Sequence, residues 1–207
     1  MTTRDRILDA AAQIMRGDGI ARATTKEIAS RAGFSEATLY KHFPDKVAIF
    51  TAVLNERLPD LGSVLQGLPE RVGKGSVEEN LRDVAAAALR FYEQGFPMAM
   101  GLFSERRLLA AYRDGLQRHG AGPRHVNLAL RTYLESERQH GRVRPDVDVD
   151  AAAALLLGAC FQDAFYRHFY DESADEPAER ARSLARTVVA GLVVPAAGDD
   201  GSTGDGR

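Results

Sequence analysis

Apolar residues return along this chain at intervals of three and four, and no run alternates with the period of two that a half-buried strand requires. Helix is therefore predicted almost throughout. Ile7, Leu8, Ala11, Ile14 and Met15 share one stripe, with Thr3 as N-cap and Gly17-Asp18-Gly19 as the stop. Thr24 and Glu27 have capping-box spacing ahead of Ile28, Ala29 and Ala32, and Gly33 breaks that second helix. Ser35 caps a short third helix that carries Leu39 and Phe43 inward. Pro44-Asp45 then opens a fourth, with Val47, Phe50, Val53, Leu54 and Leu58 on its apolar side.

After Pro59 the residues Gly62, Gly67, Pro69, Gly73 and Gly75 mark a turn-rich linker with one short helix around Leu61 to Leu65. Helical patterns resume at Val77 to Gln94, Met98 to His119 with an interruption near Gly115, Pro123 to Gln139, Asp150 to Tyr170 and Ala178 to Val194. Gly95-Phe96-Pro97 and Gly101 predict an irregular middle helix. The run Ala151 to Phe161, AAAALLLGACF, is apolar on every side and is expected to be buried on more than one face. The chain divides into residues 1–50, a connecting helix and linker 51–75, a helical unit 76–194, and a Gly- and Asp-rich tail 195–207 expected to be disordered.

Composition narrows the function. The 207 residues suffice for a sizeable core, and 27 Lys+Arg against 29 Asp+Glu give a net charge of -2, which excludes a uniformly basic nucleic-acid coat. Any basic patch must be local. All the isoleucines and three of the four lysines lie in residues 1–50, where eight basic residues face six acidic ones. Cys160 is the one cysteine, so an intrachain disulfide framework and a cysteine-built zinc site are excluded, and its apolar setting favours a core residue over a redox sensor. The polar start and the lack of an apolar run near the roughly 18 to 20 residues that span a bilayer predict neither a secretion signal nor a membrane span, and hence a cytoplasmic protein.

The second and third helices flank Gly33 at helix-turn-helix spacing, and the third exposes Ser35, Glu36, Ala37, Thr38, Tyr40, Lys41 and His42 where such a motif meets the major groove. Residues 24–50, TTKEIASRAGFSEATLYKHFPDKVAIF, resemble the DNA-binding segment of TetR-family transcriptional regulators, including the Thr-Leu-Tyr-x-His-Phe core and the following lysine. The resemblance implies an all-α chain: an N-terminal three-helix helix-turn-helix DNA-binding domain plus a C-terminal helical bundle for ligand binding and dimerisation. It implies phosphate contacts for the residues matching Thr25, Ser35, Tyr40, His42 and Lys46. It places Lys26, Glu36, Ala37 and Lys41 against base edges or nearby backbone. The chemistry agrees, since hydroxyls, a phenol and an ammonium hold phosphate oxygens, while Glu36 suits a cytosine N4, Ala37 a thymine methyl and a lysine guanine O6 or N7. For Glu36 a helix-terminal role and for Lys41 a solvated face remain open alternatives.

The resemblance also implies an effector cavity between the middle helices, for which Phe91, Tyr92, Phe96, Met100, Phe103, Tyr112, Phe161, Gln162 and Phe165 are the candidates here, with plain core as the competing reading. The effector implied is small and largely apolar. In TetR-like proteins the last two long helices pair with their two-fold mates. Leu155, Ala159, Leu184, Val188 and Leu192 are the matching stripe here, with intramolecular packing as the alternative. His119, His125, His140 and His168 lack metal-site spacing, Asp146, Asp148 and Asp150 lack the rest of a cation loop, and Asp150 reads as a helix cap. No cofactor, metal or catalytic residue is expected. Two functions remain: a ligand-responsive dimeric regulator on a pseudo-palindromic operator, a repressor by the family's default with activator left open, or an all-helical small-molecule-binding protein or enzyme with a vestigial helix-turn-helix.

Overall fold

The computed structural model describes residues 1–118, 122–172 and 177–193. The tail 195–207 and His119 lie outside them. Among the described residues all regular structure is helical.

Thr2, not Thr3, caps α1 (Thr3–Gly17): its side chain accepts from Asp5 N, and the Asp5 carboxylate accepts from the Thr2 amide at 3.1 Å. Thr2 wins because the acid that completes the box lies three residues after it. α2 (Thr25–Ala32) takes only half of its expected box. Thr24 accepts from Glu27 N at 3.2 Å, but the Glu27 carboxylate turns to Arg31 at 3.3 Å. Ser35 caps α3 (Glu36–Tyr40) and Asp45 caps α4 (Lys46–Glu56). Ile7, Leu8, Ile14, Ile28, Leu39 and Phe50 are fully buried where these four helices meet. Each such side chain contributes about 1.5 to 3 kcal/mol. Met98 and Leu102 from α6 (Val77–Ser104) and Leu108 from α7 (Arg106–Arg118) close this small core, so residues 1–50 do not complete it alone.

α6 differs from the sequence expectation. It runs unbroken through Gly95-Phe96-Pro97 and ends at Ser104 with Glu105 as its C-cap, while Gly115 does not interrupt α7. A proline inside a helix strands the carbonyl four residues back. Here that carbonyl is Glu93 O, and His168 Nε2 lies 2.9 Å from it, donating in the Nε2–H tautomer, while the imidazole stacks on Phe96 at 5.3 Å. The glycines serve close approach rather than a kink: a Cβ on Gly95 would meet Leu58 Cδ1 at 3.3 Å, and one on Gly101 would meet Ile20 Cβ at 3.1 Å.

A larger core joins α6 to α8 (Pro123–Gln139), α9 (Val149–Tyr170) and α10 (Pro177–Leu192). The turn-rich stretch before α6 is packed rather than open: α5 (Leu61–Gln66) and a 3-10 turn (Leu68–Arg71) bury Leu61, Leu65 and Leu68 in this core. Cys160 is fully buried, and burial pushes its thiol up to about 12, so it packs as a small hydrophobe. Asp148 rather than Asp150 caps α9, through Ala151 N at 3.0 Å, and Asp150 pairs with Arg131 instead.

Glu137 is fully buried, with Oε1 accepting from Gly73 N at 3.3 Å. Its Oε2 lies 3.3 Å from Arg142 Nε, within ion-pair range but without hydrogen-bond alignment. Arg142→Ala is expected to strand this carboxylate and cost about 3 kcal/mol, the low end for a buried pair because Arg142 is itself partly exposed. Urea unfolding checks this, and a loss under about 1 kcal/mol would show that the Glu137–Arg142 pair adds no more than a surface ion pair does.

Among the described residues α9 is the one helix long and apolar enough to cross a membrane by length and composition, which the lengths of the apolar runs did not suggest. It packs against α6, α8 and α10, with Ala152, Ala153, Leu156, Leu157 and Cys160 inward. The expectation of burial on several faces fails for the single chain. Leu155 is 68% exposed, and Ala151, Ala154, Gly158, Phe161, Phe165 and Phe169 are exposed as well.

Candidate nucleic-acid interface

Gly33 adopts the left-handed conformation (φ 76°, ψ 34°) that lets α2 stop and α3 start within three residues. Arg6 braces this turn from α1, donating to Ala32 O at 2.9 Å and lying 4.6 Å over the Phe34 ring. A Cβ at position 33 would meet that guanidinium at 3.0 Å. Arg4 lies over the Phe43 ring and holds Glu56 through two hydrogen bonds of 2.7 and 2.6 Å. The angle of α3 is thus fixed from below by Leu39 and Phe43 and from the side by two arginines of α1.

The outer face carries Lys26, Ser35, Glu36, Ala37, Tyr40, Lys41 and His42, all exposed. Thr25 and Thr38 are half-buried, and Thr38 Oγ1 lies 3.0 Å from Ser35 Oγ. Three of these residues form a chain: Tyr40 OH donates to Thr25 Oγ1 at 3.4 Å, and Thr25 donates to Glu36 Oε1 at 2.8 Å. Glu36 is therefore held as a brace between α2 and α3. Its second carboxylate oxygen makes no hydrogen bond among the described residues.

Lys46 departs most from the sequence reading. Its ammonium donates to Ile20 O at 2.8 Å and to Glu105 Oε1 at 3.2 Å, binding the start of α4 to the α1–α2 turn and to the junction of α6 and α7. Sequence reasoning missed Glu105, Ile20 and Arg6, since no local pattern marks contacts between residues so far apart.

The candidate effector residues divide into groups. Phe91, Tyr92, Phe96, Phe161 and Phe165 join through ring contacts of 5.5 to 6.1 Å between α6 and α9. Burial pushes the Tyr92 phenol up to about 12, and its hydroxyl makes no hydrogen bond among the described residues. Tyr112 instead packs edge-on against Phe50, 5.4 Å away in the N-terminal core. Phe103 and Met100 face solvent, and Gln162 donates outward to Tyr166 OH at 3.2 Å. Leu155, Ala159, Leu184, Val188 and Leu192 line one open groove of about 790 Å³ between α9 and α10, with Leu192 at its buried floor.

Residues 7–53 match the family described as bacterial regulatory proteins, tetR family, and residues 116–193 match the AefR-like transcriptional repressor C-terminal domain. The nucleoid occlusion factor SlmA of Sodalis glossinidius is 44% identical over 168 residues, covering 76% of this chain and 78% of that protein. Among solved structures, the fatty acid degradation regulator FadR from Bacillus halodurans superposes with a TM-score of 0.69 at 19% identity, over 92% of this chain and 96% of that one. SmeT, the repressor of the Stenotrophomonas maltophilia multidrug efflux pump SmeDEF, does so at 0.63 and 26% identity, over 94% and 92%. The braced helix-turn-helix, the all-helical second unit and these likenesses agree: this chain belongs to the TetR family of DNA-binding transcriptional regulators.

Proposed function

We propose that the protein is a cytoplasmic homodimeric repressor that holds a pseudo-palindromic operator and leaves it when a small, largely apolar effector binds. The observation that carries this is the rigid, outward α2–α3 face, in which every exposed polar group is of a kind that holds phosphates or reads bases. Ser35, Tyr40, His42 and Thr25 act on phosphates. Lys26, Ala37 and Lys41 meet base edges or adjacent backbone, and Glu36 offers its free oxygen to a cytosine amine. Thr38 positions Ser35. Lys46 reaches a phosphate only by leaving Glu105. SmeT, named as a repressor, supports that sign of regulation.

Two-fold pairing along the α9–α10 groove supplies the second reading head. Gly158 is exposed in mid-helix and a Cβ there would meet nothing within 4 Å, so the fold of one chain does not require it. A glycine inside a helix costs about 1 kcal/mol relative to alanine, and close approach of a partner helix accounts for it. The 1–50, 51–75 and 76–194 units then serve as reading head, connection and effector-binding dimer body. The effector site is the aromatic cluster of Phe91, Tyr92, Phe96, Phe161 and Phe165, with the Tyr92 hydroxyl as its polar contact. Through Pro97 and the stacked His168, that cluster lies on the same helix whose Gly101 receives Ile20 of the reading head.

The test is release. A fluorescent duplex recovered by selection is bound by the protein and titrated with a panel of apolar and amphiphilic compounds. Compounds that dissociate wild type but act more weakly on Tyr92→Phe are expected. A releasing compound that is indifferent to substitutions throughout the aromatic cluster would place the effector site elsewhere.

A further inference from the structure

The first fifty residues are only mildly basic, and most of that charge is committed inside the fold. Arg4 holds Glu56 at 2.6 Å, Arg31 pairs with Asp18 and Glu27, and Lys46 is held by Glu105. Arg6 and Arg16 donate to the Ala32 and Ala12 carbonyls. Arg22, Lys26 and Lys41 are the remaining cations of that segment, with neither an ion pair nor a side-chain hydrogen bond among the described residues.

The structure brings further cations to the same unit. α7 is joined to the reading head: Leu108 is buried in its core, Leu109 packs beside it, and Tyr112 meets Phe50 edge-on. On its outer side Arg106 and Arg107 are exposed and take part in no ion pair among the described residues. Their location is fixed by the residue before them. Glu105 Oε1 is 3.2 Å from Lys46 Nζ, and Lys46 opens α4 four residues after His42. The start of α7 therefore lies beside the first residue of α4, the helix that follows α3 in the chain.

We propose that Arg106 and Arg107 hold the phosphate backbone of the DNA flanking the bases read by α3. Resting on the DNA-binding reading above, this extends the footprint and supplies charge that the helix-turn-helix itself lacks. A guanidinium suits the task, since its planar fork holds two phosphate oxygens and it cannot lose its charge. Such arginines carry no base information, so they strengthen binding to every sequence alike.

The experiment uses the full chain and random-sequence duplexes of about 40 base pairs, nearly four helical turns, and about 12, little more than one. Arg106→Gln/Arg107→Gln is expected to weaken binding to the long duplex and to flatten the slope of log Kobs against log salt by about 0.9 for each phosphate no longer neutralised. On the short duplex it matches the parent. Arg106→Lys/Arg107→Lys keeps the parental slope, which separates an effect of charge from an effect on folding. An unchanged long-duplex slope, or an equal weakening on both lengths as an anionic effector or protein partner for these arginines would give, overturns the proposal. Lys41→Ala run in parallel distinguishes the two failures: if it too leaves binding untouched, the DNA-binding face itself is misplaced.

Discussion

Leu39→Asp is expected to abolish DNA binding while leaving the larger unit folded and dimeric. Leu39 is fully buried at the centre of the reading head, against a core of Ile7, Leu8, Ile28, Ile49 and Phe50. The substitution removes about 1.5 to 3 kcal/mol of apolar burial and places a carboxylate where the described core offers no cation. A four-helix unit of this size has little stability in reserve. The melted part should be local, because the second core around α6, α8, α9 and α10 does not include Leu39. Circular dichroism should show a partial loss of helix, sedimentation should still report the dimer, and DNA affinity should fall to the non-specific floor. A fully helical variant that binds DNA as the parent does would show that α3 is not anchored by Leu39.

The second large effect is expected in the larger unit, on the α9–α10 face proposed above to pair two copies. Leu155→Asp should leave each protomer intact and separate the two. Leu155 is 68% exposed in the single chain, so the change costs the protomer little. At a two-fold interface the same substitution occurs on both sides of the seam, and two desolvated carboxylates face an apolar groove lined by Leu184 and Val188. Sedimentation equilibrium should give the monomer mass with an unchanged melting profile per protomer after correction for concentration. Specific DNA binding should fall at least about 100-fold, because a single α3 covers one half-site. A variant that remains dimeric with parental affinity would move the interface off α9.

These two residues also show what the sequence could and could not disclose. Leu39 was legible because its signals are local: the Ser35 cap, the spacing to Phe43 and the turn at Gly33 lie within ten residues. The exposed positions from Ser35 to His42 followed from the same register. Leu155 was legible as apolar but its surroundings were not, since a helix that is apolar all round looks the same whether its second face meets its own chain or another copy. In the single chain the expectation of multi-faced burial does not hold.

Long-range partners were the least visible. Pro97 read as a break because the group that satisfies Glu93 O is His168, 75 residues further on. Gly95 and Gly101 read as kink residues because Leu58 and Ile20, which need the space, belong to distant segments. Lys46 read as a phosphate contact because its motif says nothing of Glu105, 59 residues away. Thr3 against Thr2 and Asp150 against Asp148 are smaller shifts of local origin: residues one or two apart compete for one cap, and the geometry of the first turn chooses.

Two copies of this chain placing two α3 helices on one duplex is the premise on which the regulatory reading stands. Selection from a random double-stranded DNA pool with the full-length protein, followed by titration of the recovered duplex at several salt concentrations, tests it most directly. The expected result is an inverted repeat with half-sites about one helical turn or a multiple of it apart, bound by dimers, with steep salt dependence and with specificity altered by Lys41→Ala. Recovery of no sequence motif at low salt, or of an unrepeated motif bound by a monomer, would contradict it.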